Sequence, residues 1–148
     1  MKALTLWQPF ASLMAFGLKQ NETRSWDTSF RGPLVITAAK RKIPVDELEY
    51  YRAFECFRKA EKIIGDLEKL PLGAALCTVM LNNVRPTAEA ETLASPMELA
   101  FGNYTPGRFA WETSEVERFP RPLPCRGFQQ LWEVDLRELR AQAAREGR

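Results

Sequence analysis

Two long apolar segments limit the fold of this chain more than any other feature of its sequence. "PLVITAA" (33–39) and "GAALCTVMLNNVRP" (73–86) are rich in branched residues, which is typical of buried β-strands. Further strand patterns occupy residues 2–6, 20–26, 107–119 and 131–136. Turn residues separate these segments, without the regular alternation of strand and helix that a parallel sheet requires. We therefore expect a mixed α+β domain with a small, mainly antiparallel β-barrel or curled sheet and flanking helices.

Helical patterns fill the gaps between these strands. Residues 8–17 carry Pro9 near a helix start and Gly17 at a helix stop. Apolar residues near helical spacing predict one continuous helix over 45–64, with acidic residues in its first turn and lysines in its last. "RPLPCRG" (121–127) is expected to be a proline-rich connector. The sequence thus predicts one domain over residues 1–137, followed by a polar C-terminal tail over 138–148.

Composition excludes several classes of protein and of site. The chain has 148 residues, 45% hydrophobic and 27% charged, which is the balance of a single globular domain. It lacks an apolar run of the roughly 20 residues that span a bilayer, and proline interrupts its N-terminus too early for a signal peptide, so we expect a cytosolic protein without membrane contacts. Its lack of histidine excludes Ser-His-Asp and Cys-His catalysis. Three scattered cysteines predict neither disulfides nor zinc, and we expect no metal or cofactor.

Charge is distributed unevenly along the chain, although the formal net charge is only +2. Residues 1–42 hold seven Lys/Arg against two Asp/Glu, and residues 118–148 hold seven against four. Residues 43–117 hold seven against thirteen. If the two basic ends meet in the fold, they form one positive face suited to an anionic partner.

The stretch "GLKQNETRSW" (17–26) carries the most informative motif. Gly17, Lys19, Glu22 and Arg24 resemble the G-x-K-x-x-E-x-R motif of the ASCH (activating-signal-cointegrator homology) domain family. Four other segments are also similar to segments of stand-alone bacterial members: "KALTLWQPFA", "RGPLVITAAK", "GRFAWE" and "RGFQQLWEV". The resemblance therefore covers most of residues 2–136.

This resemblance implies a PUA-like barrel of about five or six strands with a cleft across one face. It implies RNA or a nucleotide as the partner, with DNA also possible. Some relatives are linked to RNA cleavage, and one branch resembles amidohydrolases that deacylate N4-acetylcytidine with a lysine, a threonine and a glutamate. Glu22 stands where that branch has threonine, and Thr23 lies on the opposite strand face, so RNA cleavage fits these residues better than deacylation.

Strand periodicity places Glu22, Arg24 and Trp26 on one face of segment 20–26. Arginine and lysine can hold a phosphate or a base edge, and aromatic rings can stack on a base. The expected nucleic-acid-binding residues are Gln8, Lys19, Arg24, Trp26, Arg31, Arg108 and Arg126, with Trp7, Trp26 and Tyr104 as candidate stacking surfaces. Alternatively, Glu22 and Arg24 form a purely structural ion pair, and the tryptophans belong to the core.

Two other functions stay open from the sequence. In an enzyme, Lys19 would be a base, Glu22 would assist it, and Tyr104 would donate a proton, while Glu112 is a further candidate acid. RNA cleavage needs only a base and a positive clamp, because the 2′-hydroxyl supplies the nucleophile. In a protein-interaction module, the proline-rich "FPRPLPCRG" segment would contact the partner.

Overall fold

A computed structural model describes residues 1–146 of the chain. The strands are β1 (Lys2–Leu6), β2 (Asn21–Arg24), β3 (Gly32–Ala38), β4 (Ala74–Pro86), β5 (Phe109–Pro124) and β6 (Trp132–Glu133). The helices are α1 (Phe10–Ala15), α2 (Val45–Arg52), α3 (Glu55–Ile64), α4 (Thr87–Ala90), α5 (Pro96–Ala100) and α6 (Leu136–Glu146), with a 3₁₀ turn at Leu67–Lys69. Among these described residues, the helices are too short or too polar to cross a bilayer.

The strands form one mixed sheet in the order β2-β5-β4-β3-β1-β6. β1 and β3 are parallel, and the other neighbouring strands are antiparallel. The β4–β5 pairing shifts register at three points, which bends these two long strands. The sheet remains open between its edge strands β2 and β6. The mixed α+β prediction is confirmed, and the barrel is an open one.

Alternation of side chains along the strands builds two core layers. Leu4 of β1 and Leu34 and Ile36 of β3 pack with Met14 of α1 on one face of the sheet. Val35, between the latter two, belongs to a second cluster on the other face, against which α6 packs. A third cluster joins α1 to α2 and α3. Helix α1 therefore lies between the sheet and the α2–α3 pair.

The prediction of one continuous helix over 45–64 is wrong, because the helix is interrupted at Ala53 and Phe54. Phe54 has extended backbone angles (φ −106°, ψ 135°). In a straight helix, Tyr51 and Phe57 would lie about 120° apart around the axis. After the break, their ring centroids are 4.7 Å apart, and both rings contact Phe10 of α1. Burial of these rings against α1 favours the break.

The prediction of a connector over 121–127 is also partly wrong, because β5 continues to Pro124. Leu123 pairs with Ala75 of β4 and is buried, so burial of that side chain extends the strand past the prolines. The expected polar tail is helical as far as Glu146, and Leu139 and Ala143 of α6 pack against the sheet. Residues 147–148 of that tail lie outside the described residues, and the boundary at 137 stays a prediction.

The α2–α3 junction gives a prediction about acid stability. Arg52 donates to both carboxylate oxygens of Glu61 (2.8 and 3.3 Å), and the Leu67 N–H also donates to Glu61 (3.0 Å). The hydrogen bond from Arg52, more than any other cause, lowers the pKa of Glu61 below its ordinary 4.5. Its stabilisation is therefore present above pH 4.5 and is lost as the pH falls through the lower, folded-state pKa.

We expect Glu61→Gln to lower the free energy of unfolding by about 1 kcal/mol at neutral pH. The difference from wild type should shrink on acidification, because wild type loses the same interaction there. Thermal unfolding followed by circular dichroism between about pH 6 and pH 3 measures this difference. Glu68→Gln is the matched control, since the contact between Glu68 and Arg52 is longer, at 3.5 Å, and therefore weaker. Equal, pH-independent losses in both variants would contradict the assignment.

Candidate functional site

A cleft of about 1480 Å³ opens between the sheet and the α2–α3 pair. Its sheet side includes Thr5 and Trp7 at the end of β1 and residues 22–24 and 26 at β2. Its helical side comes from α1, α2, α3 and the junction between α2 and α3. Residues 39–40, 99–103, 108 and 126–130 complete the walls. Hereafter "the cleft" means the space enclosed by these residues. Several separate segments therefore supply its chemistry, as is common for ligand sites.

The G-x-K-x-x-E-x-R motif forms a chain of charges that runs from the interior to the cleft. The Lys19 ammonium lies 3.6 Å from Glu22 Oε1, and an Arg24 guanidinium nitrogen donates to Glu22 Oε2 at 3.0 Å. Exposure of the side chain rises outward, from 1% at Lys19 to 11% at Glu22 and 24% at Arg24. Glu22 thus holds Arg24 in place at the cleft wall, as the two-residue strand period predicts.

Lys19 lies beneath the cleft and does not line it. Its ammonium donates to the carbonyl oxygens of Asn21 and Phe101, both at 2.6 Å. Desolvation by burial lowers the pKa of Lys19, while the Glu22 and Glu98 carboxylates act in the opposite direction. These contacts tie the start of β2 to the segment after α5. In this position Lys19 is linked to the cleft surface through Glu22 and Arg24.

Glu98 holds the start of β2 from the other side. Its carboxylate accepts the backbone N–H groups of Gln20 (2.6 Å) and Asn21 (3.1 Å). Ser95, which caps α5, fixes that helix by accepting from the Glu98 N–H at 3.2 Å. Sequence reasoning missed Glu98, although the Ser-x-x-Glu spacing of a capping box is a signal at this helix start.

Arg108 joins the loop after α5 to β2. It donates to the carbonyl oxygens of Asn103 and Thr23, both at 3.1 Å. The Asn103 N–H in turn donates to Thr23 Oγ1 at 3.0 Å. Arg108 is half-buried at the cleft wall, and these hydrogen bonds hold its side chain in place. Such fixed cations bind anions with little loss of side-chain entropy.

The structure brings together six of the sequence-predicted site residues in the cleft lining: Trp7, Glu22, Arg24, Trp26, Arg108 and Arg126. Trp26 packs edge-to-face on buried Trp111, with ring centroids 4.7 Å apart. Arg126 is exposed and lies 5.3 Å from the ring of Phe128, which also lines the cleft.

Gln8 and Arg31 lie elsewhere. Gln8 is buried. Its side-chain oxygen accepts from the Ser12 N–H, and its side-chain nitrogen donates to the Ser12 hydroxyl and the Pro71 carbonyl. Gln8 therefore ties α1 to the segment before β4. Arg31 is exposed and donates to the Thr28 and Phe30 carbonyls in its own turn. Neither side chain lines the cleft.

Tyr104 is buried behind the cleft wall. Its hydroxyl accepts a hydrogen bond from the Asn21 side-chain amide at 3.3 Å. Burial raises the pKa of Tyr104. Gly102 passes close to this ring, because a Cβ at position 102 would lie 2.8 Å from Tyr104 Cε1. Tyr104 therefore supports the segment that carries the cleft wall.

Aromatic residues of α2, α3 and the junction between them are the main part of the cleft that sequence reasoning missed. Tyr50, Tyr51, Phe54 and Phe57 all line it, and Tyr50 and Phe54 are 62% and 45% exposed. The signal was the density of aromatic residues in "YYRAFECF" (50–57).

Cations outnumber anions at the cleft surface. The lining residues include Arg24, Lys40, Arg108 and Arg126 against Glu22 and Glu47. Glu22 is paired with Arg24, and Glu47 is paired with Arg41. The cleft thus combines a modest positive charge with a large aromatic surface.

Comparison with protein-family models supports the family resemblance that the motif indicates. The model of the ASCH domain family matches residues 4–122, which include the motif and most of the cleft residues. No curated protein matches the chain.

Proposed function

We propose, from the premise that this chain belongs to the ASCH domain family, that its cleft binds RNA or a modified nucleotide. ASCH domains have a PUA-like fold and commonly resemble RNA-binding domains, so nucleic acid is the first class of partner to consider. Fold alone does not choose a ligand, so the proposal depends on the chemistry of this cleft.

The observation that carries the proposal is the fixed guanidinium of Arg24 beside Trp26. Glu22 engages one edge of the planar Arg24 fork at 3.0 Å, and Arg24 lies 5.9 Å from the Trp26 ring. A guanidinium has five donors, so others stay available for a phosphate oxygen or a base edge. Arg108 and Arg126 are two further cations for the sugar-phosphate chain.

The aromatic lining favours unpaired bases over duplex. Nucleobases of a single strand expose their faces, whereas those of a duplex are covered by their neighbours. Stacking of a base on an aromatic side chain contributes about 1–3 kcal/mol and tolerates any base. A cleft of about 1480 Å³ holds only a short segment.

The test is a titration of labelled single-stranded RNA of about ten nucleotides, run on paired native and denaturing gels. We expect wild type to shift the RNA and Arg24→Ala to weaken binding about tenfold or more, because a charge-assisted hydrogen bond is lost. With two or three phosphate contacts, affinity should fall roughly five- to twentyfold between about 50 and 200 mM salt. The matched control is Arg121→Ala, which removes an exposed arginine that does not line the cleft.

Other outcomes distinguish the alternative functions. Equal losses in Arg24→Ala and Arg121→Ala would mean a nonspecific charge effect and would contradict a site in the cleft. RNA that is shortened by wild type but not by Arg24→Ala would indicate a ribonuclease. If the RNA neither shifts nor shortens, acylated nucleosides and a protein partner are tested next. Binding that does not weaken with salt is incompatible with phosphate contacts.

A further inference from the structure

Trp7 is an exposed tryptophan at the end of the cleft that follows β1. Its surface is 56% exposed, although residues on both sides of it, Leu6 and Gln8, are buried. Single exposed apolar side chains are common on protein surfaces, so exposure alone indicates nothing. Trp7 differs because it lines the cleft and because one face of its ring is already occupied.

The occupant of that face is Arg41. Its guanidinium carbon lies 3.8 Å from the centre of the Trp7 ring. Arg41 is held by an ion pair with Glu47 of α2, and the Tyr51 hydroxyl donates to the same carboxylate at 3.4 Å. Arg41 does not line the cleft, whereas Trp7 does. Arg41 thus covers one face of the indole, and more than half of the Trp7 surface stays exposed where it lines the cleft.

We propose that Trp7 is a stacking platform for one unpaired nucleobase, distinct from the site at Arg24 and Trp26. This inference rests on the proposed function and specifies its ligand. A ring held by Arg41 and Glu47 loses little freedom when a base stacks on it. Lys40 is exposed, lines the cleft and adjoins Arg41, so it supplies a charge for the phosphate of the stacked nucleotide.

The position of the platform sets the length of the ligand. Trp7 follows β1 and Arg24 ends β2, and three strands lie between β1 and β2 in the sheet. The two sites therefore lie apart from each other on the sheet side of the same cleft. Four strand spacings of about 4.8 Å separate them, so a single-stranded segment of several nucleotides is needed to occupy both. A duplex is excluded from the platform, because the faces of its bases are covered.

The experiment measures the affinity of the same single-stranded RNA for Trp7→Ala, Trp7→Leu and Trp7→Phe by fluorescence anisotropy. Stacking predicts that Trp7→Ala and Trp7→Leu weaken binding about tenfold and that Trp7→Phe retains most of the affinity. Leucine keeps apolar area but lacks an aromatic face, so it separates stacking from simple burial. Thermal unfolding of each variant checks that the exposed position leaves the fold intact.

Acrylamide quenching gives an independent readout. The part of tryptophan emission that belongs to Trp7 is the difference between wild type and Trp7→Phe. Saturating RNA should protect that part from acrylamide, because a stacked base covers the exposed face. A double-stranded RNA of the same sequence should not protect it.

The outcomes separate this inference from the proposed function. Failure of wild type to bind RNA would overturn both. Binding that depends on Arg24 but is unchanged in Trp7→Ala, with no protection from acrylamide, would overturn the platform alone. Equal affinity of Trp7→Leu and Trp7→Phe would replace stacking by an apolar contact, as expected for a peptide partner, and would also overturn it.

Discussion

Replacing Lys19 with methionine is expected to lower the free energy of unfolding by about 3–5 kcal/mol, because it breaks a buried ion pair from one side. Lys19 is 2% exposed, and its ammonium satisfies the Asn21 and Phe101 carbonyls as well as facing Glu22. Methionine fills a similar volume but leaves the carbonyls and part of the carboxylate without a donor. Urea unfolding followed by tryptophan fluorescence measures the loss, which corresponds to roughly 2–4 °C in Tm per kcal/mol.

A double-mutant cycle separates this structural role from ligand contact. Glu22→Leu alone leaves the Lys19 charge buried, whereas Lys19→Met/Glu22→Leu removes both charges and should recover part of the stability. A Lys19→Met protein with wild-type stability and reduced RNA affinity would instead assign Lys19 to the ligand. Together these measurements decide whether Lys19 supports the fold or contacts the ligand directly.

Replacing Trp111 with alanine is the second large effect, with an expected loss of about 3–5 kcal/mol in the free energy of unfolding. Trp111 is fully buried in the sheet core and pairs in register with Glu22 across β2 and β5. Its indole N–H donates to the Trp26 carbonyl at 3.3 Å, and its ring packs against Trp26. Alanine would leave a large cavity directly behind the cleft wall.

Trp111→Phe is the informative companion, because it keeps most of the apolar volume and loses the hydrogen bond to Trp26. We expect a loss of about 1–2 kcal/mol and weaker RNA binding, since the Trp26 backbone is no longer fixed. Trp132→Phe is the matched control for the loss of stability, because Trp132 also donates through its indole N–H, to Thr5 Oγ1 at 3.1 Å. Near-wild-type stability of Trp111→Ala would contradict a close-packed core at this position.

Local patterns in the sequence predicted the part of the site that depends on local geometry. The Glu22–Arg24 ion pair follows from strand periodicity, since residues two apart share a face. Burial of the long apolar segments 33–39 and 73–86 likewise follows from their composition, and both became central strands of the sheet.

Features that depend on distant contacts were not predictable in this way. Lys19 is buried because the Phe101 carbonyl, 82 positions later in the chain, approaches it. No local pattern distinguishes such a lysine from one that faces solvent. The break at Phe54 likewise depends on Phe10 of α1, because that ring provides the surface on which Tyr51 and Phe57 meet.

The pairing of β1 with β6 has a consequence for the order in which the sheet forms during synthesis. β1 lies between β3 and β6, with Lys2 opposite Glu133 and Ala3 opposite Trp132. During synthesis, β3 emerges from the ribosome early enough to pair with one side of β1. The other side has to wait until residues 132–133 have been translated. Closing so long a loop is slow, so this side of the nascent sheet forms late and stays open to chaperones in the meantime.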